Sequence, residues 1–329
     1  MSGQGQQIFT DALGRYAAQR ADPELTALAD ATTAPLRIEV RGRRGVGVTS
    51  VAAALRAAGY RESAGAEVRL YVVAEVCKPE DRRALAAEPA DVVVFNKADL
   101  VGLAPAGPMQ RARRQAAALS AAIGVPTHAL VAPVALAAAD PARLDDELLA
   151  ALRTLVTAPA PMISADAFVA AAHPLPTATR RRLVATLDLF GIAHAVVQLR
   201  DHPETPLAQL RTLFAAAGGL DELRSAVELA GAAARYRRMV ALCQELELRA
   251  ITDASTAEFL AGDDVVLGRM AAALEVVAVA GLPPADDAPL PTALRWRRYA
   301  AGPVSGLHRG CGLDIARGSL RLLERGTPR

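Results

Sequence analysis

The sequence predicts an α/β chain in which a small parallel sheet flanked by helices is followed by a mostly α-helical region. Three observations carry that reading. Between residues 36 and 134 short apolar runs alternate with helical patterns; a glycine-rich turn, Gly42 to Thr49, joins the first run to the first of these helices; beyond residue 140 strand signals give way to helical ones.

In order, the opening stretch from Gln6 to Leu28 sets Ile8, Phe9, Leu13, Tyr16 and Ala17 at helical intervals and predicts one or two helices ahead of the sheet. Leu36 to Val40 is the first strand, followed by the glycine-rich turn and a helix through Ala52, Leu55 and Ala58. Val68 to Val76 is a buried strand, and Pro79 to Ala87 a helix whose first turn carries Glu80 and Asp81, as the positive end of a helix dipole favours. Asp91 to Phe95 is the third strand, Met109 to Ile123 the third long helix and Thr127 to Val134 the fourth strand. Strands separated by helices predict parallel pairing with both faces covered.

Helical patterns then run over 143–156, 179–189, 207–216, 220–246 and 257–280, while Ile192 to Leu199 fits strand or helix. The proline-rich GLPPADDAPLP separates a last basic helical region beginning near Leu294. The expected division is N-terminal helices over 1–34, a reduced α/β domain over 35–140 and a helical domain over 141–329.

A chain of 329 residues with 52% hydrophobic content has core enough for two moderate domains. Its 37 basic and 35 acidic residues nearly cancel, leaving no broad basic field, so nucleic acid is not an expected partner. Cys77, Cys243 and Cys311 lie far apart and form no CxxC pair, which argues against a disulfide framework or a cysteine-rich zinc site and for a reduced, cytoplasmic protein. The opening MSGQGQQIF lacks the basic start and apolar core of a secretory signal, and no stretch reaches the roughly 18 charge-free apolar residues of a membrane span.

Two motifs carry chemistry. The first, GRRGVGVT from Gly42 to Thr49, stands between a strand and a helix. A phosphate-binding P-loop reads GxxxxGK[ST]: its glycines let backbone N–H groups wrap the phosphates, its lysine neutralises the outer ones, and its hydroxyl binds Mg2+. Gly42, Gly47 and Thr49 match, with Arg43, Arg44, Gly45 and Ser50 around them, but Val48 stands where the lysine belongs. The second motif is NKAD, with Asn96, Lys97 and Asp99 directly after the strand DVVVF. In an NKxD motif the aspartate accepts hydrogen bonds from the guanine ring N–H and exocyclic amine, the asparagine braces the loop, and the lysine stem lies along the base. Adenine cannot satisfy that aspartate.

With RIEVRGRRGVGVTS, LYVV followed by KPEDRRAL, and VVVFNKADL in this order, the chain resembles the TRAFAC class of P-loop GTPases, most closely their actinobacterial dynamin-like branch. LDLFGIAHAVVQLR, LRTLFAAAGGLDELR and RYRRMVALCQEL extend the resemblance through the helical region to Leu246. It implies a reduced P-loop-type sheet, GTP or GDP as ligand, and Mg2+ held by Thr49. The departures are as informative. The span from Thr49 to Asn96 is too short for both switches, there is no DxxG between them, and VAPVALA, near Ala132 to Val134, replaces the family's SAK-like loop. Glu75 alone lies near where a metal-facing carboxylate falls, and it reads first as an ordinary strand-end glutamate.

The expectation is a pseudo-GTPase, with no catalytic residue assigned, that serves as a non-catalytic partner, for instance of an active dynamin-like GTPase. Peripheral membrane contact is implied by the resemblance alone. Two alternatives stay open: an active GTPase in which Arg43 or Arg44 replaces the lysine, and a helical adaptor that binds no nucleotide. Near the C-terminus His308, Cys311 and Asp314 share one helix face without a second ligand cluster, which favours a buried structural helix. Arg295, Arg297, Arg298, Arg309, Arg317 and Arg321 form a basic stripe suited to a partner protein or anionic lipid heads.

Overall fold

The structure, a computed structural model, describes residues 3–102, 107–282 and 288–326. The chain divides into two compact units, one of Pro35–Val227 and one made of Met1–Ala34 with Glu228–Arg329. This differs from the three-part division the sequence suggests, because helical periodicity reveals which face of a helix is buried but not what buries it.

The chain opens with α1 (Gln4–Arg20) and α2 (Pro23–Thr32), the latter capped by the Asp22 carboxylate on the N–H groups of Glu24 and Leu25. The α/β unit follows as β1 (Arg37–Gly42), α3 (Val48–Ala57), β2 (Arg61–Glu62), β3 (Val68–Ala74), α4 (Pro79–Ala87), β4 (Val92–Asn96), α5 (Pro108–Ile123), β5 (Thr127–Leu130) and α6 (Ala132–Ala139). All five strands pair in parallel in the order 2-1-3-4-5, one of the common doubly wound orders. β4 is buried along its whole length and β3 at all but one position, which accounts for the unbroken apolar runs LYVVA and VVVF.

The fourth strand ends earlier than the sequence suggests. It stops at Leu130, and Ala132 begins α6, because Pro133 has no N–H for a ladder but fits the first turn of a helix. β2, of two residues, was too short to leave a sequence pattern. α7 (Asp146–Thr157), α8 (Ala165–Ala170), α9 (Thr177–Asp201) and α10 (Leu207–Ala217) complete this unit, and the division falls within α11 (Leu220–Ala230). The ambiguous stretch Ile192 to Leu199 is helical, part of α9. Leu148, Leu152, Phe168, Leu183, Leu187, Ile192, Leu210 and Phe214 share one core with Val93, Phe95 and Val134 of the sheet region. Residues 141–227 are therefore cover for the sheet rather than the start of a separate helical domain. α9 is the one helix among the described residues long and apolar enough by composition to cross a membrane; here Leu183, Leu187, Ile192, Ala195 and Leu199 line it into the core.

The other unit gathers α1 and α2 with α12 (Ala232–Ala250), α13 (Ala254–Ala261), α14 (Asp263–Val279), α15 (Pro289–Ala301) and α16 (Gly306–Gly326). The patterns over 220–246 and 257–280 each resolve into two helices, broken at Gly231 and Gly262. Residues 283–287 of the proline-rich segment lie outside the described residues. Within the core, buried Asp314 accepts from the Tyr236 hydroxyl at 2.7 Å and pairs with Arg269 at 2.9 Å. Burial pushes the neighbouring thiols up, Cys243 to about 11 and Cys311 to about 12, so both behave as inert core residues. His308 bonds Tyr299 at 2.9 Å, and among the described residues no group of three metal-ligating side chains occurs.

α1 and α14 cross closely at glycines: a Cβ on Gly5 would stand 2.2 Å from the backbone nitrogen of Ala272 and 2.7 Å from the carbonyl oxygen of Gly268. The obstacle is backbone, which cannot rotate aside. Gly5→Ala is expected to lower stability by about 1–3 kcal/mol, measured as a shift in the urea unfolding midpoint, although alanine is the better helix former.

Candidate functional site

In a parallel sheet every strand ends at the same edge, and where the order reverses the adjoining loops diverge and open a crevice. Here the reversal lies between β1 and β3, since the chain leaves β1 for β2 on one side and returns to β3 on the other. The loop Arg43 to Gly47 after β1 and the turn Glu75 to Lys78 after β3 border it. Asn96, at the end of β4, is in register with Ala74 of β3 and Leu130 of β5, so the NKAD residues leave the same edge.

Asn96 is buried, only 3% exposed, and its amide is used at both ends. Nδ2 donates to the Val46 carbonyl oxygen at 2.8 Å, and Oδ1 accepts from the Ala132 N–H at 3.2 Å. One side chain thus ties the glycine-rich loop to the first residue of α6, where VAPVALA was expected to supply a loop. Gly47 has φ +91°, and a Cβ there would stand 2.3 Å from Asn96 Nδ2. Gly42 is held by close approach instead: its Cβ would meet the Val72 carbonyl oxygen at 2.7 Å. Both glycines of the motif are thus required by specific neighbours.

Lys97 turns off the strand in the left-handed region at φ +57° and leads into a 3-10 turn, Ala98–Leu100. Lys97 and Asp99 are both half-buried. Burial pushes the Asp99 carboxyl up from its ordinary range, and the negative charge of Asp188 adds to the rise. Asp188 sits at a break in α9 with φ 53° and ψ 176°, a backbone conformation nearly confined to glycine, and its carboxylate accepts from the next N–H, that of Leu189, at 2.6 Å. No sequence signal marked Asp188; it lies inside a run that fits a helix throughout.

At the other end of the crevice the charges are arranged differently from a P-loop. α3 starts at Val48 with Gly47 as its N-cap and no side chain capping its first N–H groups. Thr49 is exposed and Ser50 half-buried on that first turn, and Gly45 gives the loop a second left-handed step at φ +84°. The Val48 side chain packs towards Gly42, a Cγ2 lying 3.0 Å from where a Cβ on that glycine would stand. Arg43 does not reach over the loop as a substitute cation. Its Nε lies 3.3 Å from Asp81 Oδ2, and its Nη2 donates to the Ala74 carbonyl oxygen at 3.3 Å. Arg44 is exposed.

Asp81 explains the diversion. It is fully buried and accepts from the Tyr71 hydroxyl at 3.1 Å and the Lys78 N–H at 2.9 Å as well as from Arg43. A buried carboxylate needs such partners, and Arg43 brings the positive charge. Burial and the bond to Asp81 push the Tyr71 phenol up to about 12. The sequence marks Asp81 only as a favourable acid near a helix start; Lys78-Pro-Glu-Asp, an acid three residues after the cap, was the available sign that it would bond back to the cap N–H. Glu75 is exposed in a tight turn, with φ +63° and the Val76 N–H bonded to the Ala74 carbonyl oxygen at 2.7 Å.

No protein family model, characterised protein or solved structure matches the chain.

Replacing Asn96 tests the brace. Asn96→Ala leaves the Val46 carbonyl and the Ala132 N–H without their partner and is expected to cost about 2–4 kcal/mol in chemical denaturation. Asn96→Asp keeps the acceptor for Ala132 but turns an oxygen towards the Val46 carbonyl, so it is expected to be no better than the alanine. An aspartate variant as stable as the parent would show that the Val46 bond contributes nothing.

Proposed function

We propose that the protein is a degenerate guanine-nucleotide-binding protein, a pseudo-GTPase that works as a non-catalytic partner or scaffold. The observation that carries this reading is the double hydrogen bond of Asn96, which performs in this chain the bracing that an NKxD asparagine is expected to perform. With that loop fixed to the glycine-rich loop, Asp99 is available to accept from the guanine ring N–H and exocyclic amine, and the Lys97 stem to lie along the base. Gly42, Gly45 and Gly47, with the first N–H groups of α3, offer a place for phosphate. The parallel sheet with its flanking helices is compatible with such a site.

Hydrolysis is not supported by the same residues. Phosphoryl transfer needs Mg2+ bridging the outer phosphates, a cation on the transferred group and a group orienting water. Val48 supplies no charge, Arg43 is engaged by Asp81, and Glu75 stands exposed on a turn. Thr49 would be the hydroxyl ligand of any Mg2+, and among the described residues no group of three His, Cys, Asp or Glu side chains is placed to hold a metal ion. The narrower likeness to dynamin-like GTPases, with docking against an active GTPase of that kind, belongs to this proposal, as does contact with a membrane surface.

Calorimetric titration with GDP, GTP and ADP, paired with a phosphate-release assay, is the direct test: guanine nucleotides are expected to bind, ADP not, and release to stay at background. Rapid GTP turnover would overturn the pseudo-GTPase reading, and a folded protein indifferent to all three would point to a helical adaptor instead.

The acid limb of binding offers a second check. Only the ionised Asp99 accepts both guanine hydrogen bonds, and its pKa is raised, so binding is expected above that pKa and is lost as pH falls, at a higher pH than an ordinary aspartate would give. Asp188→Gly removes the neighbouring charge and suits the φ of that position; the acid limb is expected to move to lower pH, and binding at pH 8 to be unchanged.

A further inference from the structure

We infer that the site recognises guanine without counting phosphates: GMP, GDP and GTP occupy it with similar affinity, with or without Mg2+, so that nucleotide is a constitutive ligand rather than a switch. This rests on the guanine-binding reading above and concerns the opposite end of the same crevice.

Discrimination between one, two and three phosphates requires fixed positive charge beyond the first phosphate. In a P-loop that charge is the lysine and the metal. In this chain both are replaced by neutral or committed groups. Val48 packs its branched side chain towards the glycine that starts the loop and carries no charge where a P-loop has its lysine. Arg43, the nearer of the two loop arginines to the sheet, is anchored twice, to the buried Asp81 carboxylate and to the Ala74 carbonyl. Releasing it would leave a fully buried carboxylate without its cation, so an incoming phosphate does not compete for it on equal terms. Arg44 is exposed, and a single exposed charge on a flexible stem is screened by solvent, so what it adds per phosphate is small.

What remains at the phosphate end is backbone, the N–H groups of the loop and the first turn of α3, together with exposed side chains such as Arg44 and Lys78 whose charges are screened by solvent. The base end, by contrast, keeps its brace through Asn96 and its acceptor in Asp99. Affinity is therefore concentrated in the nucleoside and its first phosphate. The same asymmetry leaves Mg2+ with Thr49 and the ligand's own oxygens, too little to couple metal to binding.

The experiment is a calorimetric titration of the full chain with guanosine, GMP, GDP and GTP, each in excess Mg2+ and again in EDTA. Affinities of GMP, GDP and GTP within about fivefold of one another, unchanged by EDTA, support the inference. A rise of more than fivefold from GMP to GTP, or a loss of more than fivefold in EDTA, overturns it while leaving the guanine reading intact. No binding of guanosine or of any of the three nucleotides by the folded protein overturns both. Val48→Lys and Asp81→Asn probe the cause, the first restoring the lysine and the second loosening Arg43. If either folds, it is expected to favour GTP over GMP by more than tenfold, and a folded Val48→Lys that still ignores phosphate number counts against the charge argument.

Discussion

The amide of Asn96 is the constraint on which the crevice depends. A buried amide must satisfy a donor and an acceptor of opposite polarity, and here these lie on two different loops. The bond to Val46 draws the glycine-rich loop onto the end of β4, and the bond to Ala132 sets where α6 begins. α6 in turn packs against α3, α9 and α10, so one side chain relates the loop, the sheet edge and the helices that cover the unit. Gly47 is part of the same arrangement, since any larger residue would collide with the amide.

The two ends of the crevice answer to different demands. At the Asn96 end polar groups are held by neutral hydrogen bonds of 2.8 and 3.2 Å, and the Asp99 carboxyl is only half-buried. At the end by the glycine-rich loop a fully buried carboxylate, Asp81, anchors α4 to β3 through Tyr71 and the helix cap. An unpartnered charge there would be costly, so Arg43 serves the fold. That arginine is held by the fold rather than left free over the loop.

The helical unit uses the same logic with different chemistry. Asp314 is buried among Tyr236 and Arg269, and the thiols beside it are forced towards the neutral form by the same burial. The line of His308, Cys311 and Asp314 on one helix face is thus explained by separate neighbours: Tyr299 holds the histidine, the core holds the thiol, and Arg269 holds the carboxylate. Exposed arginines such as Arg297, Arg309 and Arg317 lie on the solvent side of α15 and α16.

Sequence alone determined most of the local order: four of the five strands and the helices between them, parallel pairing, the glycine turn between strand and helix, and the NKAD motif at a strand end. These follow from short-range rules, periodicity, glycine geometry and proline's missing N–H, which act within a few residues. It also placed Val48 where the P-loop pattern carries a lysine. Tertiary structure decided the rest because partners distant in sequence are invisible to such rules. Only folding shows that Arg43 is claimed by Asp81, that Asn96 reaches Val46 and Ala132, and that Asp188 stands beside Asp99 across a break no pattern announces. The assignment of helices to units was decided the same way: amphipathic faces state that something covers them, and only packing states what.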